Sequence, residues 1–352
     1  MPLLFMTAKV TTYNRRMRIL LVKTSSLGDV IHNLPVVSDV RKAFPDAQID
    51  WLVEESFAEI PLLHPGVRTV IPVALRRWRK SLFKADTWHE MREFYAALRR
   101  ESYDVVIDTQ GLLKSALLTR LARGRRAGYA TASAREPVAA LFYETTVRVA
   151  KDQHAVQCNR QLVAGALGYA LSDASPADYG LAASTIAKMP MAPMIPASAV
   201  AHDTVLLLTA TSRADKLWPE ALWQALGCAF AAHGLTCLLP SGNRVESERA
   251  TRLAQAIPGA VALPLLSLRE LAGYCAAARL VVGVDTGLVH LAAAMGRPTL
   301  ALFCASNPAL TGVLADKADK GGRGGAGSAI NLGMQGVPPG VTEVLAAAQP
   351  WL

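Results

Sequence analysis

The sequence predicts an α/β protein built from two similar doubly wound, Rossmann-like domains. Short apolar runs bounded by turn residues recur along both halves, as buried parallel strands do. Amphipathic or Ala-rich helical stretches separate these runs, which is the alternation expected of a doubly wound sheet. Between the halves, at 173–203, Ala, Ser and Pro replace the periodic pattern, as in an interdomain linker.

Taken in order, residues 1–16 carry no periodic pattern and are expected to form a disordered extension. Residues 17–23 (MRILLVK) read as the first strand and 24–29 (TSSLGD) as a glycine-containing turn. Residues 30–44 are expected to form one amphipathic helix stopped by Pro45. Strands follow at 49–53 and 68–72, a helix at 88–100, a strand at 103–108, then a turn at 109–115 entering another helix. This β-α-β-β-α-β-α order fills an N-terminal domain, 17–172. After the linker, strands are expected at 204–208, 235–239 and 261–263, with helices at 219–233 and within 242–257. Residues 279–303 give strand, tight turn, helix and strand. A Gly-rich flexible loop at 316–333 and a last helix at 341–348 close a C-terminal domain, 204–352.

Length and composition bound the function. The 352 residues suffice for two cores, and 51% of them are hydrophobic, as in a soluble globular chain. No apolar run reaches the length of a membrane span, and no signal peptide is expected. Cys158, Cys228, Cys237, Cys275 and Cys304 are scattered without metal-ligand spacing, so they read as reduced cysteines of a cytoplasmic protein. The net charge of +9 points to a polyanionic partner: nucleic acid, an anionic membrane surface or a phosphorylated substrate.

The candidate chemistry lies at strand ends. In 279–303 (RLVVGVDTGLVHLAAAMGRPTLALF), Asp285-Thr286-Gly287 sits at the carboxyl end of a parallel strand, where open α/β sheets bind ligands. The helix that follows offers N–H groups and dipole to a diphosphate, and His290 falls on the face of Thr286. The same Asp285 and Thr286 would also serve as plain helix caps. Asp29 occupies the matching position in the first half, as a general base or as a cap, and Gly28 allows close approach of backbone. Arg76, Arg77, Arg79 and Lys80 are either an anion clamp or a solvated face. Lys216, after the strand at 204–208, is either a surface lysine before a helix or a cation across the crevice from Asp285 that could neutralise a leaving diphosphate. No HxExxH, DxD or His/carboxylate grouping indicates a metal site.

Six segments carry a resemblance: 17–40, RRWRK at 76–80, VIDTQGLLKSALL at 106–118, AREPVAALFY at 134–143, TATSRADKLWP at 209–219 and the 283–303 motif. In order and across 17–312, they resemble the lipopolysaccharide heptosyltransferases, in particular those of type I. The resemblance implies the GT-B fold, two Rossmann-like domains facing across a cleft. It implies inverting, metal-independent transfer of L-glycero-D-manno-heptose from ADP-heptose to Kdo–lipid A, with no cofactor. It also implies a cytoplasmic enzyme peripheral to the inner membrane.

By the same resemblance Asp29 is the general base, with Ser26 and Gly28 beside the acceptor. Thr211, Ser212 and Lys216 contact the diphosphate. Asp285, Thr286, Gly287 and His290 complete the donor site, and Glu246 holds the ribose. Arg76, Arg77, Arg79, Lys80 and Arg135 face the acceptor. Ser241-Gly242-Asn243 and the 303–308 segment depart from the family pattern. Another core heptosyltransferase with the same donor is the nearer alternative. A non-enzymatic nucleotide- or nucleic-acid-binding module is the farther one, disfavoured because few aromatics interleave with the basic residues.

Overall fold

In the computed structural model, which describes residues 16–172, 176–187, 203–314 and 329–352, the apolar runs form two six-stranded sheets. The first contains β1 (Arg18–Val22), β2 (Gln48–Glu54), β3 (Val67–Val73), β4 (Ser102–Asp108), β5 (Arg123–Tyr129) and β6 (Thr145–Val147), in the order β3-β2-β1-β4-β5-β6. The second contains β7 (Thr204–Leu208), β8 (Thr236–Ser241), β9 (Val261–Leu265), β10 (Leu280–Val284), β11 (Thr299–Phe303) and β12 (Ala329–Gly333), in the order β12-β11-β10-β7-β8-β9. Neighbouring strands pair in parallel, as in β1 with β4 and β7 with β10. Each sheet steps outward from its first strand, then crosses to that strand's other side. The reversal opens a crevice beyond the carboxyl ends of β1 and β4, and of β7 and β10.

The central strands are apolar throughout because helices cover both faces. Ile19, Leu20, Leu21 and Val22 are all fully buried, as are Leu280, Val281, Val282 and Val284. The last helix, Val341–Ala348, forms where it was expected and buries Val344 and Ala348.

Four features depart from the sequence reading. The helix expected at 30–44 is two, Leu27–Ile31 and Leu34–Ala43, broken at His32-Asn33. Pro35 explains the break: it has no N–H to donate back to Ile31. The first half also continues through β5, β6 and a helix at Ala155–Leu167. In β5, RGRRAGY, three arginines hide the strand signal. The end of the Gly-rich stretch is β12, an edge strand paired with β11 rather than a loop. Residues 315–328, the rest of that stretch, lie outside the described residues, as do 1–15. Of the expected linker, 173–175 and 188–202 also lie outside them, whereas 176–187 packs against the core through buried Tyr179, Leu181 and Ile186.

The halves meet through short helices. The Leu27–Ile31 helix packs on the Gly287–Ala294 helix so closely that a Cβ added at Gly287 would overlap Leu27. Arg269 donates its backbone N–H to Glu59 at 2.9 Å, and His154 Nε2 donates to the Gly312 carbonyl at 2.9 Å. Among the described residues, no helix is long and apolar enough to cross a membrane.

Candidate active site

At the end of β1 the chain turns through Lys23-Thr24-Ser25-Ser26 into the Leu27–Ile31 helix. Ser26 is the N-cap, and its N–H donates to Asp29 Oδ2 at 2.9 Å. Asp29 therefore does cap the helix, but it also receives Arg135 Nη2 at 2.7 Å. Lys23 lies fully inside, donating to the Thr109 carbonyl at 2.7 Å and Asn159 Oδ1 at 3.4 Å. Burial pushes the Lys23 ammonium down to about 8, with Asp29 opposing the fall. Burial would raise the Asp29 carboxyl, but Lys23 and Arg135 outweigh it and hold Asp29 well below the ordinary carboxylate range. Gln110, beyond β4, accepts the N–H groups of Thr24 and Ser25 at 3.1 and 3.2 Å, fixing this turn across the switch point.

The second half repeats the arrangement. Asp285, at the end of β10, accepts Lys216 Nζ at 2.6 Å and the Ser306 hydroxyl, while His290 Nε2 stands 3.5 Å from its Oδ1. Lys216 is thus a direct partner of Asp285, from the turn after the adjacent β7, and not across the crevice as expected. Thr211 Oγ1 donates to the Asp285 carbonyl at 3.2 Å. Burial opposes ionisation of Asp285, yet the hydrogen bonds from His290, Lys216 and Ser306 keep its carboxyl well below the usual range. Thr286 is the N-cap of the Gly287–Ala294 helix, but its side chain caps none of the helix N–H groups. That helix start therefore offers donors and positive dipole next to Lys216.

The two clusters touch. His290 Nδ1 lies 3.2 Å from His32 Nε2, and the His32 ring meets the His154 ring edge-on at 5.4 Å. Asp285 can only accept, so Nε2 of His290 carries the proton and Nδ1 receives one from His32. Burial, then the neighbouring His290 and His154, keep His32 neutral, well below its ordinary value. A Cβ placed on Gly28 would come 3.5 Å from the His290 ring.

The chain as a whole resembles known proteins. The profile of glycosyltransferase family 9 (heptosyltransferase) matches residues 91–333. The chain belongs to this heptosyltransferase family. Lipopolysaccharide heptosyltransferase 1 of Pseudomonas aeruginosa is 49% identical over 298 residues, covering 84% of this chain and 81% of the relative. Lipopolysaccharide heptosyltransferase 1 of Escherichia coli is 45% identical over 297 residues, covering 84% and 90%. The solved structure of E. coli heptosyltransferase WaaC with ADP superposes with a TM-score of 0.82 at 40% identity, covering 95% of this chain and 98% of that one. The resemblance to the type I enzymes read from the motifs thus holds across both halves, and the fold of this heptosyltransferase is GT-B.

In this glycosyltransferase the remaining expected residues are less convergent. Glu246 starts the Arg244–Ala256 helix beyond β8, where its carboxylate accepts the Gly242 N–H at 2.7 Å and the Asn243 side-chain amide at 2.7 Å. Ser212 is exposed beside Thr211. Of the basic cluster, which lies beyond β3, Arg77 is bound to Glu55 and Glu90, and Arg76 covers the Phe57 ring at 5.2 Å. Arg79 and Lys80 are exposed. Arg135 stands apart from that cluster, at Asp29. Among the described residues no three His, Cys, Asp or Glu side chains are grouped to hold a metal ion. The sequence reading missed Ser306, His32, His154 and Lys23. Ser306 had one usable signal, its position just beyond β11 at the same crevice edge.

Proposed function

We propose that this heptosyltransferase transfers L-glycero-D-manno-heptose from ADP-heptose to a Kdo hydroxyl of Kdo–lipid A, in lipopolysaccharide inner-core synthesis. The observation that carries this reading is the facing pair of anion-ready clusters, Asp29–Arg135 and Asp285–Lys216, at the switch points of the two sheets. The relatives named lipopolysaccharide heptosyltransferase 1 support heptose transfer, and the E. coli enzyme solved with ADP and with ADP-2-deoxy-2-fluoro heptose supports the donor.

The diphosphate is held by Lys216 and by the N–H groups opening the Gly287–Ala294 helix, with Thr211 and Ser212 beside it and Glu246 toward the ribose. Asp29 takes the proton from the acceptor hydroxyl as that oxygen attacks the anomeric carbon opposite ADP, inverting the centre. Negative charge grows on the departing diphosphate, and Lys216 and fixed N–H groups stabilise it without a metal ion. Arg79 and Lys80, with Arg76 and Arg77, face the acidic acceptor. The enzyme works at the cytoplasmic face of the inner membrane. We take 17–172 as the acceptor-binding domain, 173–203 as the linker and 204–352 as the donor-binding domain.

The test is mass spectrometry of Kdo–lipid A after incubation with ADP-heptose. A gain of one heptosyl residue is expected. Transfer only to an already heptosylated core would assign the chain to another core heptosyltransferase type, and no transfer to either acceptor would overturn the reading.

A further inference from the structure

Segment 80–88, most of the link between the Leu75–Trp78 and Ala85–Leu98 helices together with the first turn of the second, presents apolar side chains to solvent. Phe83 is fully exposed, and Leu82 and Trp88 are 44% and 53% exposed. The segment is nevertheless ordered by its own bonds. Thr87 Oγ1 donates to the Ser81 carbonyl at 2.8 Å, Lys84 N–H donates to the same carbonyl at 3.0 Å, and Trp88 Nε1 donates to the Leu82 carbonyl at 2.8 Å. These bonds hold Phe83 at the tip, where burial in the protein's own core is not possible.

The surrounding charge says what this tip fits. Residues 76–92 carry six basic side chains and two acidic ones, and one of the two, Glu90, is already taken by Arg77 and the Trp78 indole. Arg79, Lys80 and Lys84 flank Leu82 and Phe83 and are exposed. Two or three apolar side chains ringed by cations are too small an area for a specific protein interface. They match an anionic lipid surface, where apolar groups enter the acyl boundary, Trp sits at headgroup level and cations meet phosphates. We propose that segment 80–88 is a bilayer anchor, inserting Leu82 and Phe83 into an anionic phospholipid leaflet.

The anchor is tied to the crevice. Arg76 N–H donates to Glu54 Oε1 at 3.0 Å, and Glu54 N–H donates to the Thr24 carbonyl at 3.1 Å, at the turn that carries Ser26 and Asp29. Insertion therefore sets the mouth of the crevice at the bilayer, where a lipid-borne acceptor reaches Asp29 without leaving it. This last step rests on the function proposed above; the anchoring itself does not.

The experiment compares wild type with Leu82→Ser/Phe83→Ser, two exposed changes outside the proposed catalytic residues. Sedimentation with phosphatidylglycerol/phosphatidylethanolamine vesicles should fall at least about tenfold in the variant, the scale of withdrawing one large apolar side chain from an apolar phase. Wild-type binding should weaken with salt and be poor on phosphatidylcholine alone. Transfer to a deacylated, water-soluble acceptor should be unchanged, while transfer to acceptor embedded in vesicles should drop. Equal vesicle binding by both proteins would overturn the proposal. So would a wild-type dimer, dissolved by the variant, that ignores vesicles. If vesicle binding behaves as expected but neither protein transfers heptose to any acceptor, the anchor stands and the proposed function fails.

Discussion

Asp29→Asn should cut transfer by orders of magnitude while ADP-heptose still binds, and its effect on stability should depend on pH in a way that identifies the neighbour responsible. The amide keeps the bond from the Ser26 N–H, so the helix cap survives. What disappears is the charge facing Arg135 and Lys23. Arg135 is half exposed and can turn to water; Lys23 is buried and cannot. The Lys23 ammonium sits at about 8 with Asp29 in place, below its unfolded value, so its charged form is already disfavoured by folding. Removing Asp29 lowers it further. At pH 7 the added cost is bounded, because once the value passes below 7 the lysine sheds its proton: one unit, about 1.4 kcal/mol. At pH 9 the wild-type lysine is already neutral and this cost vanishes. Denaturant titrations at pH 7 and pH 9 should thus show a destabilisation that shrinks as pH rises, while turnover falls by about 10²–10⁴, the usual contribution of a general base. Lys23→Met in the same chain should recover stability at pH 7 but not activity. Near-normal turnover in Asp29→Asn would refute the base. A destabilisation equal at the two pH values would refute the coupling to Lys23.

Lys216→Ala should lower kcat about a hundredfold, more than it weakens donor binding, and EDTA should leave the wild type active; strict dependence on added magnesium would transfer the counter-charge to the ion. Gly287→Ala should cost about 1–3 kcal/mol in a thermal or denaturant melt because the new methyl meets Leu27, and Leu27→Ala should recover part of it. His64 is pushed down by burial to about 4, and burial lowers His32 and His154 as well. All three are neutral in the fold and protonate more readily unfolded, so their contribution to stability is complete above about pH 6.5 and is lost below it. For His64 alone the loss reaches about 3 kcal/mol by pH 4, and denaturation midpoints that stay flat between pH 7.5 and 5 would reject this.

How much of this could be read from the chain depends on how far apart the cooperating residues lie. The central strands were legible because residues buried on both faces leave one continuous apolar run, as in 280–284. β5 was not, since Arg123, Arg125 and Arg126 interrupt the pattern on a strand whose first half is partly exposed. The break at His32-Asn33 was signalled by Pro35, but the surrounding amphipathic pattern masked it. Asp285, Thr286 and Lys216 were legible as crevice residues because local order alone puts them after parallel strands. That Lys216 contacts Asp285 was not, because 69 residues separate them and only the adjacency of β7 and β10 brings them together. Arg135 met Asp29 for the same reason, over 106 residues.

The two clusters also explain each other. In each half a cation that an anionic substrate would need is held by a carboxylate at the switch point: Arg135 by Asp29, Lys216 by Asp285. An incoming anion therefore competes with a group already inside the site. The consequences differ because the remaining partners differ. Asp285 would lose Lys216 to a diphosphate and still keep Ser306 and His290, so it stays ionised and fixed. Asp29 would lose Arg135 to an acceptor carboxylate or phosphate and keep the Ser26 N–H and the influence of Lys23. With one of its two cations withdrawn, its affinity for a proton rises. On the proposed mechanism, the acceptor's own charge thus converts Asp29 from an ion-pair partner into a base, and an acceptor alcohol without an adjacent anionic group should be a poor substrate through kcat even at saturation. Transfer to such an alcohol at the rate of the charged acceptor would remove Arg135 from the activation step and leave it a structural counter-ion.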